Sequence, residues 1–72
     1  MDASEVEKYT NDLIYYADQI EAGKDFEINW IEMRLKLDSL NERADKVLEN
    51  GELDEYKLLC HFAYQYYRLL YL

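Results

Sequence analysis

The sequence predicts an all-α protein, a small antiparallel three-helix bundle that forms one domain over residues 1–72. The chain has no proline and two glycines, and these residue types interrupt helices most strongly. Apolar residues recur at steps of three and four in three segments, which is helical spacing. Short connections at the glycines favour antiparallel neighbours. We therefore expect helices at about residues 4–22, 26–50 and 52–72.

The first helix is expected to begin at Ser4 and to end before Gly23. Ser4 and Glu7 have the S-x-x-E spacing of a capping box, in which each side chain bonds a free backbone amide of the first turn. Gly23 suits the left-handed conformation that commonly ends a helix. Three-four spacing predicts the residues of the inward face: Val6, Tyr9, Leu13, Tyr16 and Ile20.

The second helix has two candidate starts and one end. Asp25 and Asn29 are both favourable N-cap residues, and Glu32 follows Asn29 at the capping spacing. Gly51 is expected to end this helix. Three-four spacing again predicts the inward face: Trp30, Met33, Leu37, Leu40, Ala44 and Val47.

The third helix is unusually apolar. Its first turn holds carboxylates, which favour the positive end of a helix dipole: Glu52, Asp54 and Glu55. One line at three-four spacing predicts the inward face: Leu53, Tyr56, Cys60, Ala63, Tyr67 and Leu70. Other apolar residues cover most of the remaining circumference. Such a helix is either the central element or part of an oligomer interface.

The net charge of −8 is concentrated in one half of the chain. Residues 1–32 carry nine acids and two bases, whereas residues 33–72 carry seven acids and six bases. An acidic surface repels nucleic acid and anionic membranes and attracts basic protein surfaces. The alternative is that the charge only keeps a small protein soluble.

The composition also bears on the compartment. A single cysteine allows no internal disulfide, which is typical of a reducing environment, and we expect a cytoplasmic protein. The first residues lack the basic and apolar regions of a signal peptide. The apolar runs are too short to cross a bilayer.

The stretch DLIYYAD places four bulky residues in a row, and a helix cannot bury all four on one face. Ile14 falls on the side of the helix opposite the inward face, and Tyr15 falls beside Ile14. Ile14 shares its line with polar residues: Glu7, Asn11, Asp18 and Glu21. An aromatic residue ringed by polar groups is typical of an interface hot spot, which predicts a partner-binding surface. Isolated surface apolar residues are the ordinary alternative.

The outer face of the second helix changes character along its length. Its first half is apolar, at Ile28, Ile31 and Leu35. Its second half is a row of carboxylates: Asp38, Glu42, Asp45 and Glu49. Such a row presents paired anionic oxygens to arginine, as the phosphates of DNA do, and predicts a second partner-binding surface. A solvated helix face is the alternative.

The apolar half of that face requires a cover, either the third helix or a second copy of the chain. We expect a homodimer whose interface combines apolar residues of the second and third helices: Ile28, Ile31, Leu35, Phe62, Tyr66 and Leu69. Tyrosine offers a large contact area with a polar tip, which suits interfaces. The alternative is that the tyrosines ring the edge of the core with their hydroxyls in water.

No sequence motif indicates catalysis, and we expect a non-enzymatic protein with no metal and no cofactor. Cys60 and His61 are neighbours on a helix and point about 100° apart, so they cannot act as nucleophile and base. The sequence contains no H-E-x-x-H, phosphate loop or EF-hand spacing.

These patterns predict an inhibitor or regulator that binds a basic protein, most favourably a nucleic-acid-binding protein or a nuclease complex. Short length, acidity and a tyrosine-rich surface are typical of phage or mobile-element proteins with anti-defence roles, including DNA mimics and anti-CRISPR proteins. The alternative is a homo-oligomeric structural or adaptor module whose acids provide solubility. We expect neither direct nucleic-acid binding nor membrane binding.

Overall fold

The computed structural model describes residues 1–71 and contains three helices: α1 (Ala3–Glu21), α2 (Phe26–Glu49) and α3 (Leu53–Leu70). No strand occurs in this described part of the chain. The predicted all-α bundle is confirmed, and the helices begin and end within two residues of the expected bounds. Leu72, which the predicted third helix included, lies outside the described residues.

Contacts between the helices establish the up-down-up order. Residue numbers rise along α1 as they fall along α2 in three polar contacts: Glu5 with Arg43, Asp12 with Lys36, and Tyr16 with Glu32. Numbers rise together along α1 and α3 in two ring contacts: Tyr9 with Phe62, and Tyr16 with Tyr66. The first and third helices therefore run parallel to each other and antiparallel to the second.

Both glycines end helices as predicted. Gly23 (φ 68°) and Gly51 (φ 75°) adopt the left-handed conformation after α1 and α2. The amide of Gly23 donates to Ile20, and the next amide donates to Gln19, which is the Schellman pattern. The same pair of bonds recurs at Gly51. These caps allow each helix to reverse direction within a few residues.

The predicted N-caps are partly wrong. Ser4 does not cap α1, because the helix begins at Ala3 and its N-cap is Asp2, whose carboxylate accepts from the amide of Glu5 at 2.9 Å. Asp25 is the N-cap residue of α2, in a left-handed conformation and without a side-chain capping bond. Asn29 is instead buried, and its amide donates to the carbonyl of Lys24 at 3.0 Å. It therefore fastens the turn rather than starting the helix.

The core takes one line of side chains from each helix. The predicted inward face of α1 is confirmed, since Tyr16 is buried and the other four residues pack against the core. The predicted face of α2 is confirmed for all residues except Trp30, which is 37% exposed. Leu40 and Leu59 are among the side chains with almost no solvent contact.

The predicted inward face of α3 is confirmed in part, since Ala63 and Leu70 are buried and Tyr56 and Cys60 pack against the core, but the helix is rotated away from the predicted line. Its buried residues are Leu59, Phe62, Ala63, Tyr66 and Leu70, whereas Leu53 and Tyr67 are more than half exposed. Because the helix is apolar around most of its circumference, spacing alone could not identify which side faces the core. Packing selects it, because the rings of Phe62 and Tyr66 meet the rings of Tyr9 and Tyr16 on α1.

Arg43 connects all three helices. Its Nη2 lies 2.8 Å from Glu5 Oε2 on α1 and 3.3 Å from Glu55 Oε1 on α3. Glu55 also pairs with the Met1 ammonium, and this hydrogen bond lowers the pKa of the Glu55 carboxyl. A planar guanidinium suits such a bridge because it presents several donors in fixed directions.

Two tyrosine hydroxyls lie inside the bundle with different partners. Tyr16 donates to Glu32 Oε2 at 2.9 Å, whereas the Tyr66 hydroxyl is buried without a hydrogen-bond partner in the described part of the chain. Burial raises the pKa of both phenols above the ordinary value of 10.0, and for Tyr16 the bond to Glu32 adds to this effect. Both phenols therefore remain protonated in the fold at a pH where an unfolded tyrosine ionises.

This difference predicts a loss of stability at alkaline pH. Above pH 10 the unfolded state releases phenolic protons that the folded state retains, so the free energy of unfolding falls as pH rises. Tyr66→Phe removes one such group and a buried hydroxyl without a partner. The variant should be no less stable than wild type at neutral pH and should lose less stability above pH 10, as measured by urea unfolding.

Tyr15→Phe is the matched control, because it removes an exposed hydroxyl, and it should follow the wild-type pH curve. A Tyr66→Phe variant that is destabilised at neutral pH would contradict the unpartnered hydroxyl. If Tyr66→Phe loses as much stability above pH 10 as wild type does, ionisation of the Tyr66 phenol does not cause that loss.

Candidate partner-binding surfaces

The acidic row of α2, defined as Asp38, Glu42, Asp45 and Glu49, is exposed along its whole length. Asp38 lies 3.6 Å from Arg34 Nε, and no ion pair with a described residue holds the other three. The row extends over about 16 Å at a rise of roughly 1.5 Å per residue. It presents at least three free carboxylates to a partner.

Two of the four cations of α2 do not neutralise this row, because they point toward α1 and α3. Lys36 reaches Asp12 at 3.0 Å, and Arg43 reaches Glu5 and Glu55. Of the sixteen acidic residues, four take part in ion pairs within residues 1–71: Glu5, Asp12, Asp38 and Glu55. Apart from the exposed Arg34–Asp38 pair, internal pairing therefore uses cations that face the other helices, and it leaves most carboxylates of the outer faces without an ion pair to a described residue.

The α1 patch, defined as Glu7, Asn11, Ile14, Tyr15, Asp18 and Glu21, is exposed at every position. The Tyr15 ring lies edge-on to the ring of buried Tyr16, with 5.3 Å between centroids. This contact gives the Tyr15 ring a fixed neighbour on an otherwise solvated face. The four bulky residues of DLIYY thus divide as predicted, with Leu13 and Tyr16 inward and Ile14 and Tyr15 outward.

The apolar half of the outer face of α2 has no cover in the single chain. Ile28, Ile31 and Leu35 are 60%, 55% and 64% exposed. Helix α2 has 24 residues and α3 has 18. The Tyr71 hydroxyl at the end of α3 accepts from Arg34 at 2.7 Å. The first turns of α2 therefore extend past the end of α3, which also explains the exposure of Trp30.

The third helix places the other predicted interface residues differently. Phe62 and Tyr66 are buried in the chain's own core, and Leu69 is half-buried against it. In this conformation Phe62 and Tyr66 offer no surface to a second copy. Only the apolar half of α2 stays available for the predicted self-association.

A groove between α2 and α3 was missed by the sequence reasoning. It has a volume of about 260 Å³ and is lined by Leu37, Asn41, Cys60, Ala63, Tyr64 and Tyr67. Tyr56, Cys60 and Tyr67 belong to the line that spacing assigned to the core. The helical spacing of these residues was the only sequence feature that could have indicated a groove. Whether they lie beside α2 depends on the rotation of α3, which spacing does not determine.

The remaining chemistry is sparse. Cys60 is half-buried and His61 is exposed, with its ring 5.6 Å from that of Phe62. Within residues 1–71, no three histidine, cysteine, aspartate or glutamate side chains are grouped to hold a metal ion. None of the three helices in this part of the chain combines the length and apolarity that crossing a bilayer requires.

Comparison of the chain with protein-family models, with curated proteins and with solved structures gives no match.

The acidic row should be unfavourable for the stability of α2. Glu49 is the last residue of the helix, where a negative charge opposes the helix dipole, and it stands four residues after Asp45. Glu49→Gln should therefore raise the free energy of unfolding by about 0.5 kcal/mol in urea titrations at low salt. Glu7→Gln, near the opposite end of a helix, is the control and should not raise it. A destabilised Glu49→Gln variant would mean that this carboxylate supports the fold.

Proposed function

We propose that this protein is a non-enzymatic binding protein that uses the acidic row of α2 to occupy a basic surface of a nucleic-acid-binding protein. The observation that carries the proposal is the row itself, in which Glu42, Asp45 and Glu49 are exposed and free of ion pairs with described residues. By covering a basic surface, the row inhibits or regulates the target.

The chemistry of the row supports a basic partner. Carboxylates on one helix face, about one per turn, meet arginine through paired oxygens, as phosphates do. The helix holds these groups in place before the partner arrives, so little ordering remains to be done on binding. The net charge of −8 adds a long-range attraction that speeds association with a basic protein.

The proposed class of target follows from the same charge. Proteins that bind nucleic acid carry clustered lysine and arginine on the surface that contacts phosphate. A phage or mobile-element inhibitor of defence nucleases, including the anti-CRISPR type, is the biological role that we propose for this chemistry. On this proposal the protein acts in the cytoplasm of the host cell and does not bind nucleic acid itself.

Capture of a partner from a native-host lysate tests the proposal. We expect the tagged wild-type chain to capture one basic protein at low salt and less of it at moderate salt, because salt screens exposed charges. A variant with Glu42→Gln, Asp45→Asn and Glu49→Gln should lose the capture. The matched variant with Glu7→Gln, Asp18→Asn and Glu21→Gln removes the same charge from α1 and should lose less.

Two results would contradict the proposal. One is capture that does not change between low and moderate salt. The other is a larger loss with the α1 variant, which would move the binding surface to the α1 patch around Tyr15.

A second candidate function is self-association, and the exposure of Ile28, Ile31 and Leu35 favours it. A second copy would cover these residues and complete the bundle as a homodimer. This candidate predicts a dimer in sedimentation velocity at micromolar concentration and a monomer for Leu35→Glu. The acid-to-amide variant of α2 should dimerise like wild type, and a wild-type monomer would remove this candidate.

A further inference from the structure

The tyrosine groove between α2 and α3 has two distinct walls. Its α3 wall carries Cys60, Tyr64 and Tyr67, and Tyr56 and Tyr71 continue the same helix face beyond the two ends of the groove. Its α2 wall carries Asn41, with Asp38 three residues before it and Asp45 four residues after it on the same face. Two tyrosines therefore face an amide across the groove, and two carboxylates of α2 lie beside it on the same helix face as that amide.

The floor of the groove is apolar. Leu37 and Ala63 are buried beneath it, and Cys60 is half-buried at its side. Tyr64 and Tyr67 rise on one side with 56% and 54% of their surface exposed. This shallow depression of about 260 Å³ above Leu37 and Ala63 has room for an apolar side chain from outside.

Two of the chain's own arginines lie against tyrosines of this face of α3. Beyond the end of the groove, Arg34 donates to the Tyr71 hydroxyl at 2.7 Å and lies 3.6 Å from Asp38, so a guanidinium lies between a tyrosine and a carboxylate. Arg68 lies over the ring of Tyr64, 5.9 Å from its centroid. Arginine bonds carboxylates with two donors and stacks on aromatic rings, which lysine does less well.

We propose that the tyrosine groove receives an arginine-bearing amphipathic helix of a partner protein. One apolar residue of that helix enters the hollow above Ala63. Arginines one turn to either side stack on Tyr64 and Tyr67 and pair with Asp45. This inference rests on the proposed function and makes it more specific, because it names the partner segment and adds a groove beside the acidic row.

Charge selects this occupant over a second copy of the chain. Asp45 has no ion pair with a described residue, and the chain as a whole carries −8. Two copies joined through this groove would bring their acidic walls together, which is unfavourable. A basic helix supplies the opposite charge and the apolar anchor that helix-in-groove recognition uses.

The test is an NMR titration of the full chain, labelled with ¹⁵N, with a synthetic helical peptide of about 18 residues, long enough to form a helix in part. The peptide carries one leucine, arginines four residues to either side, and alanine elsewhere. We expect the amides of Asn41, Ala63 and Tyr67 to shift most. The peptide with lysine in place of arginine should bind several-fold more weakly, because lysine lacks the planar fork.

Variants locate the site. Tyr64→Ala with Tyr67→Ala should weaken binding about tenfold, since both rings stack on arginine. Phe26→Ala is the matched control, because it removes an exposed ring outside the groove, and it should bind as wild type does. Both tyrosines are more than half exposed, so the fold should survive their loss, and an unchanged spectrum elsewhere checks this.

Several results would contradict the proposal that the tyrosine groove binds an arginine-bearing helix. They are no binding of the arginine peptide, equal binding of the lysine peptide, shifts that also appear on dilution of the chain alone, or unchanged affinity of the double tyrosine variant. If the Glu42→Gln and Glu49→Gln changes weaken the peptide and the tyrosine changes do not, the acidic row survives as the binding site without the groove. A different result, capture from lysate that does not depend on salt, would contradict the proposed function itself.

Discussion

The constraint on which this structure depends is the narrow core of a three-helix bundle. Three helices around one axis bury roughly one line of side chains each, and this chain has more apolar residues than those lines can hold. Within residues 1–71, eleven apolar residues are buried and twelve large apolar residues are exposed. A small domain has no further layer to cover them. Most of this surplus lies in three places: the first three turns of α2, the tyrosine wall of α3, and Ile14 with Tyr15 on α1.

Charge follows the same division between inside and outside. Lys36 and Arg43 lie on the side of α2 that meets α1, where they pair with carboxylates and join the helices. Arg43 has partners on two helices at once, which fixes α1 and α3 relative to α2. These cations are then not available to the outer face of α2. The acidic row and the tyrosine groove lie side by side on that face, so one partner can contact both.

The sequence predicted local features well because local physics determines them. The two glycines mark both turns, since each occupies a left-handed position that favours glycine. The inward face of α1 was predictable because polar residues surround it on both sides. Helix α3 lacks that contrast, and its rotation depends on how Phe62 and Tyr66 pack against α1. The groove could not be predicted for the same reason, because it requires Asn41 and Tyr67 to meet across two helices. The exposure of Trp30 depends on the difference in length between α2 and α3. The Asp2 cap depends on competition between two acceptable N-cap residues, Asp2 and Ser4, that are two positions apart.

The central claim is that the outer face of α2 is the surface that meets a partner. The most direct measurement is hydrogen exchange of this chain, free and in the complex isolated with the protein that it captures. We expect slower exchange on binding in α2 from Asp38 to Glu49 and in α3 around Tyr64 and Tyr67, with α1 around Tyr15 unchanged. Protection confined to α1, or to the first turns of α2 around Ile28 and Ile31, would contradict the claim.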